Sequence, residues 1–138
     1  MFASFCIVCA ALFTSCDKIG DDNSSSGGNN VTPADGLWKV SYFFDKKDET
    51  SDYATYTFQF NSDGSLKASN GSLSWSGAWR TGFDDSKNKF DIDFNGTVPS
   101  ALSELEEDWL IVHMKDDFMH FEHRSGGDGD TDVLHFSK

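Results

Sequence analysis

From position 36 onward, apolar and polar residues alternate in short runs separated by turn residues. Trp38, Val40, Tyr42 and Phe44 share one parity, so a strand over 36–45 puts all four on one face. Gly36 lets the backbone turn tightly just before the tryptophan. After a charged loop over 46–52, Tyr53-Ala54 leads into Tyr56, Phe58 and Phe60, with Thr57 and Gln59 between them. Asn61-Ser62-Asp63-Gly64 ends in Asp-Gly, a hairpin signal. A weaker third strand over 65–70 offers only Leu66 and Ala68, and Asn70-Gly71 makes the next turn. Leu73, Trp75, Gly77 and Trp79 share a parity in the fourth strand, where Gly77 predicts a bend or bulge. Residues 81–88 read as a loop, and Phe90, Ile92 and Phe94 form a clean fifth strand.

The alternation then breaks. Pro99-Ser100-Ala101-Leu102-Ser103-Glu104-Leu105 predicts a helix of one or two turns whose leucines close one end of the fold. Strands over 109–115, 118–123 and 131–136 complete the pattern, with Val112, Phe121, Leu134 and Phe136 turned inward. The fold class is therefore all-β, an eight-stranded up-and-down antiparallel barrel with one short helix between the fifth and sixth strands. A β-sandwich of the same strands is the alternative. Rings this large in strands this short favour a filled interior.

The first 35 residues are different material. Phe2 to Phe13 is almost entirely apolar or small, too short for an ordinary membrane span but suited to a signal-peptide core. It ends in Leu12-Phe13-Thr14-Ser15-Cys16, which resembles a bacterial lipobox. Phe13 stands where leucine is usual, and no Lys or Arg precedes the apolar run, which suggests a start further upstream. The expected division is a signal peptide over 1–15, lipidated Cys16 with a flexible tether over 16–35, and a barrel domain over 36–138. The tether is Gly/Ser-rich and polar, with a reach of about 25 Å. Acyl chains on Cys16 make the membrane the first expected partner.

Composition removes several functions. The 138 residues carry a formal charge of −12, which disfavours nucleic acid. All three cysteines lie in the first 16 residues, so the domain has neither a disulfide framework nor a thiol nucleophile. No nucleophile elbow or phosphate loop is present, and the acidic run at Glu104, Glu106, Glu107 and Asp108 reads as a solvated face. No catalytic residue, metal or cofactor is expected. Asp128, Asp130 and Asp132 have calcium-loop spacing without the closing acid at position 12. Symmetric hairpins would align His113, His120 and His135 across three strands, a row wide for one zinc ion.

Gly36-Leu37-Trp38-Lys39-Val40, Tyr56-Thr57-Phe58, Phe60-Asn61-Ser62-Asp63-Gly64, Gly77-Ala78-Trp79 and Leu134-His135-Phe136 together resemble the lipocalin-like domain family of small Gram-negative lipoproteins. The resemblance spans 36–138. It implies a lipid-anchored barrel in the cell envelope, on the outer membrane and facing the periplasm or the surface. It also implies a small apolar ligand, and a basic residue over the first-strand tryptophan, a part only Lys138 can take. The ligand residues expected at a barrel mouth are Tyr42, Tyr56, Trp75 and Trp79, whose rings join an apolar face to a polar handle. Ala54, Ala68 and Gly77 leave the space beside them. The rival expectation is an interaction module, binding a protein or glycan through an outer patch of Leu37, Phe43, Trp109, Ile111 and Phe118; under either reading the chain is expected to be a monomer.

Overall fold

A computed structural model describes residues 32–33, 35–124 and 129–138. Cys16, the signal segment and Asp128 lie outside the described residues. Pro33 is already buried, so packing begins slightly before Gly36.

The chain forms one antiparallel sheet in the order β2-β1-β9-β8-β7-β6-β5-β4-β3. Its strands are β1 (Lys39–Asp45), a two-residue spur β2 (Lys47–Asp48), β3 (Tyr56–Phe60), β4 (Ser65–Asn70), β5 (Leu73–Asp84), β6 (Lys87–Phe94), β7 (Asp108–Met114), β8 (Phe118–Arg124) and β9 (Thr131–Ser137). Eight principal strands in up-and-down order match the predicted class. The ladder does not close. Across the seam between β1 and β3 a single antiparallel bridge joins Trp38 and Phe58, each amide donating to the other's carbonyl at 2.8 Å.

Turn chemistry holds the hairpins in register. The Asp63 carboxylate accepts from the Ser65 amide at 2.8 Å and from its hydroxyl at 2.6 Å, while Gly64 takes a φ of 85°. Hydrogen bonds to Ser65 hold the Asp63 carboxyl below the usual carboxylate range. The expected loop over 81–88 is instead a continuation of β5 and β6. Asp85 and Ser86 both have positive φ, 48° and 62°, so a two-residue turn suffices and the strands run on.

Gly77 has a specific reason. A β-carbon there would lie 2.3 Å from the Asp93 carbonyl oxygen and 3.0 Å from Phe94 Cα. Pairing with Leu66 on one side and Phe94 on the other continues through it without a register shift. The glycine therefore permits close backbone approach rather than a bulge.

Two plugs close one end. Helix α1 (Ser100–Ser103) lies between β6 and β7, and Leu102 and Leu105 are fully buried as expected. The Glu106 carboxylate accepts from the Phe94 amide at 2.8 Å, and the Leu105 carbonyl accepts from Trp109 Nε1 at 3.0 Å. The second plug is a 3-10 turn, Thr50–Tyr53, where a strand start had been expected. Tyr53 is buried against Phe43 with ring centroids 5.0 Å apart, and its hydroxyl donates to Glu104 Oε2 at 3.4 Å. Burial, then the Glu104 charge, pushes the Tyr53 hydroxyl far above its ordinary range.

Two bulges shape the remaining wall. Opposite β9, β1 steps from Val40↔Phe136 to Tyr42↔His135, leaving Ser41 as the extra residue. Opposite β8, β7 steps from Ile111↔Phe121 to His113↔His120, leaving Val112 extra. An extra residue reverses the facing of everything beyond it. Phe43 is therefore buried and Tyr42 turned outward, the reverse of the expected parity. Trp109 is also core, packed near Phe43, and Ile111 sits against the core, so the expected outer patch loses three of its residues.

The interior is aromatic and continuous. Phe60 of β3 meets Phe90 of β6 at 5.7 Å and Phe136 of β9 at 5.4 Å. Phe90 stacks on Phe121 of β8 at 4.8 Å. Lys138 Nζ sits 4.7 Å above the Trp38 ring and donates to the Asp35 carbonyl, the position expected of it. Gly36, at a φ of 131°, makes room, since a β-carbon would come 3.2 Å from Lys138 Cε.

Candidate functional site

The four expected ligand residues do not form one site. Tyr56 is buried on β3, and the half-buried Trp75 of β5 packs on it with centroids 5.9 Å apart. Trp79 is buried, stacks on Phe90 at 5.7 Å, and donates Nε1 to the Asn61 carbonyl at 2.8 Å. Its polar handle is thus used to pin the β3–β4 turn. Tyr42 is on the other side of the wall, because the Ser41 bulge turns it outward. Ala68 is fully buried in the packed interior, and Ala54 is exposed.

The outward wall is where polar chemistry gathers. Pairing aligns Tyr42, His135, His120 and His113 across β1, β9, β8 and β7. The expected histidine row therefore exists, with the Ser41 bulge bordering it in β1 and the Val112 bulge in β7. Spacing along it is uneven. His120 and His135 have centroids 4.4 Å apart, whereas His113 stands 6.2 Å from His120 and is exposed. Tyr42 and Phe118 flank the His135 ring at 5.3 and 5.2 Å. Burial, then the neighbouring His120, lowers the His135 pKa from its ordinary value. Glu122 Oε1 lies 3.6 Å from His120 Nε2. Among the described residues, no three His, Cys, Asp or Glu side chains converge as a metal centre, so the three-imidazole site is not formed.

A cleft of about 270 Å³ adjoins this face, lined by Lys87, Lys89, Asp108, Leu110, Glu122, His123 and Arg124. Lys89 and Asp108 pair within it at 2.8 Å. His123 packs beside Trp109 and lies between two carboxylates, Asp132 at 3.5 Å from Nδ1 and Glu107 at 3.7 Å from Nε2. Nothing in this arrangement pairs a nucleophile with a base. Sequence reasoning missed the apolar members of the outward face, Tyr42 and Phe44, because the bulge that exposes them has no residue signature; Ser41 is an ordinary strand residue.

Comparison with known proteins adds the fold and little else. The chain is similar to the crystal structure of a DUF4847 family protein from Bacteroides vulgatus ATCC 8482, with a TM-score of 0.51 and 15% identity over 75% of this chain and 92% of that one. The two share a fold. No family model matches the chain, and no curated protein does.

Proposed function

We propose that this chain is a membrane-tethered interaction module that binds a protein or glycan through the outside of a filled barrel. The observation that carries the reading is the ring packing across the interior, where Phe60, Phe90, Phe121 and Phe136 link β3, β6, β8 and β9. An eight-stranded barrel is just wide enough to be filled by side chains or to hold one small ligand. Here aromatic rings take that space. The outward wall of β1, β9, β8 and β7 instead offers half-buried aromatic and imidazole groups beside a polar cleft, the mixed character of a recognition surface.

The tether rests on the sequence: an apolar segment, small residues before Cys16, and a Gly/Ser-rich stretch after it. The likeness to lipocalin-like envelope lipoproteins supports the same reading, and Lys138 over Trp38 is the contact that likeness implies. The proposed location is the outer membrane. A small apolar ligand retains one foothold, the half-buried Trp75 ring lying on Tyr56.

One titration separates the two. With an apolar naphthalene probe and the full chain, tryptophan fluorescence is expected to show no saturable change. A saturable response that disappears in Trp75→Ala would overturn the filled-barrel reading in favour of a carrier. For the tether, Cys16→Ala is expected to move the chain from the membrane fraction to the soluble fraction. Continued membrane association would remove the anchor.

A further inference from the structure

We infer that the polar cleft on β6, β7 and β8 takes a carboxylate-bearing sugar, a hexuronate unit of an acidic glycan, with Lys87 and Arg124 holding its carboxylate. This rests on the interaction-module reading and narrows the partner to one class. The cleft lies where β6 and β7 pair only from Lys89↔Leu110 to Asp91↔Asp108, while the β5–β6 hairpin runs on to Asp84↔Lys87. Lys87 lines it from that hairpin extension, and Arg124 lines it from the end of β8. Lys87, Lys89 and Arg124 outnumber the carboxylates of Asp108 and Glu122, so the lining is positive on a chain of net charge −12. A locally positive cleft concentrates anions that the rest of such a surface repels.

Pairing inside the cleft decides which cations are available. Lys89 is held by Asp108 at 2.8 Å, and Glu122 faces His120 Nε2 at 3.6 Å. Lys87 and Arg124 are exposed and have no carboxylate partner among the described residues. A guanidinium presents a planar fork that matches a carboxylate, and an ammonium adds a freely turning donor. The rest of the lining suits a sugar ring: half-buried Leu110 offers an apolar surface to a C–H face, and Asp108 and Glu122 offer oxygens to hydroxyls. A volume of about 270 Å³ is at the small end of ligand clefts, room for a ring rather than a folded segment. Strand pairing continues the face from Leu110 through Glu122 and Val133 to Phe44, with Tyr42 two residues before it. Those two rings give further sugar units an aromatic surface that a bare anion does not use.

The test titrates the full chain with tetragalacturonate and follows backbone amide resonances by NMR, with neutral galactotetraose, tetraglutamate and acetate as comparisons. Tetragalacturonate is expected to give saturable shifts centred on Lys87, Leu110, Glu122 and Arg124, and to bind more tightly than any of the other three. Lys87→Ala and Arg124→Ala should each weaken it by about two- to fivefold, the range for exposed charge pairs, and about 0.5 M salt should weaken it in the wild type. Lys67→Ala, on β4 and outside the cleft, should leave it unchanged. Equal binding of galactotetraose would overturn the proposal by removing the carboxylate's part, and equal binding of tetraglutamate or acetate would overturn it by removing the sugar's. Amide shifts in the cleft with none of the four would also overturn it, while the interaction-module reading stands or falls separately on the naphthalene titration. The wild-type titrations decide the matter even where a variant misfolds.

Discussion

The wall from β3 to β6 and the wall from β7 through β9 to β1 are both built from alternating strands, but only the first keeps the alternation unbroken. In the first, Tyr56, Phe58, Phe60, Leu66, Ala68, Trp79, Phe90, Ile92 and Phe94 are all buried, as their parity requires. In the second, Ser41 and Val112 are bulged, and the facing of β1 and β7 reverses at those points. The regular wall supplies nine of the twenty buried core residues. The bulged wall supplies the features that turn outward, Tyr42 and the histidine row among them. Bulges re-aim side chains, and here both border the row that carries the polar chemistry.

The sharpest way to break this comparison is to delete one residue from each wall. Removing Asp91 from β6 makes Phe90 and Ile92 neighbours, so Ile92 and Phe94 swap faces with their polar partners. That variant is expected to yield no cooperatively folded protein. Removing Ser41 does the opposite. Val40 and Tyr42 become neighbours with the inward and outward facing they already have, so β1 becomes a simple strand. This second variant should fold, with a cooperative thermal transition and the wild-type circular dichroism spectrum. Equal damage from the two deletions would show that the bulge is not the source of the reversed parity.

The same contrast explains what was legible from residues alone. Strand order, most turn positions, the Leu102–Leu105 plug and the hairpin registers that pair His113 with His120 and His120 with His135 follow from local chemistry, that is turn residues, parity and one proline, whereas Lys138 over Trp38 was implied only by the family resemblance. Tyr42, Phe43, Trp109 and Ile111 were misplaced because a bulge depends on how two strands meet, and neither Ser41 nor Val112 marks one. Tyr53 was missed for a related reason. An aromatic residue three positions before a strand reads as part of it, but a 3-10 turn carries it into the core. Ring chemistry alone also does not show the contacts that commit those rings, such as Trp79 Nε1 to the Asn61 carbonyl.

A smaller effect is expected at Gly77, in the regular wall. Adding a methyl group there drives it to 2.3 Å from a carbonyl oxygen on β6, a contact that only backbone movement can relieve. Gly77→Ala should lose about 1–3 kcal/mol, the usual cost of overpacking, read as a lowered midpoint in urea with the slope unchanged. By contrast Gly82→Ala, five residues along the same strand with no atom within 4 Å of the added carbon, should stay within about 0.5 kcal/mol of wild type. Matching losses at the two glycines would mean that close approach at Gly77 does not set the cost, because chain entropy favours alanine at both.

The smallest effect is expected where the two walls meet, at the plugs. Glu104 stands among Glu49, Asp45 and Asp52, and accepts a hydrogen bond from Tyr53. Partial burial, then repulsion from Glu49, raises its pKa above the ordinary carboxylate value, while the Tyr53 hydroxyl pulls the other way. A carboxyl raised in the folded state binds its proton more tightly there than in the unfolded chain. Its contribution to stability therefore falls as pH climbs through the unfolded and then the folded pKa, and at neutral pH the ionised group costs folding energy. Glu104→Gln keeps an oxygen to accept from Tyr53 and removes the charge. It should stabilise the protein at pH 7 and make no difference below the ordinary carboxylate range, near pH 3.5. Because the group is mostly solvated, screening limits the gain to a few tenths of a kcal/mol, roughly 1–2 °C in Tm. A gain of equal size at both pH values would mean that amide packing, not charge, is responsible. A loss at pH 7 would mean that the ionised carboxylate is worth more to Tyr53 than its repulsion costs, and that the plug is held by that hydrogen bond.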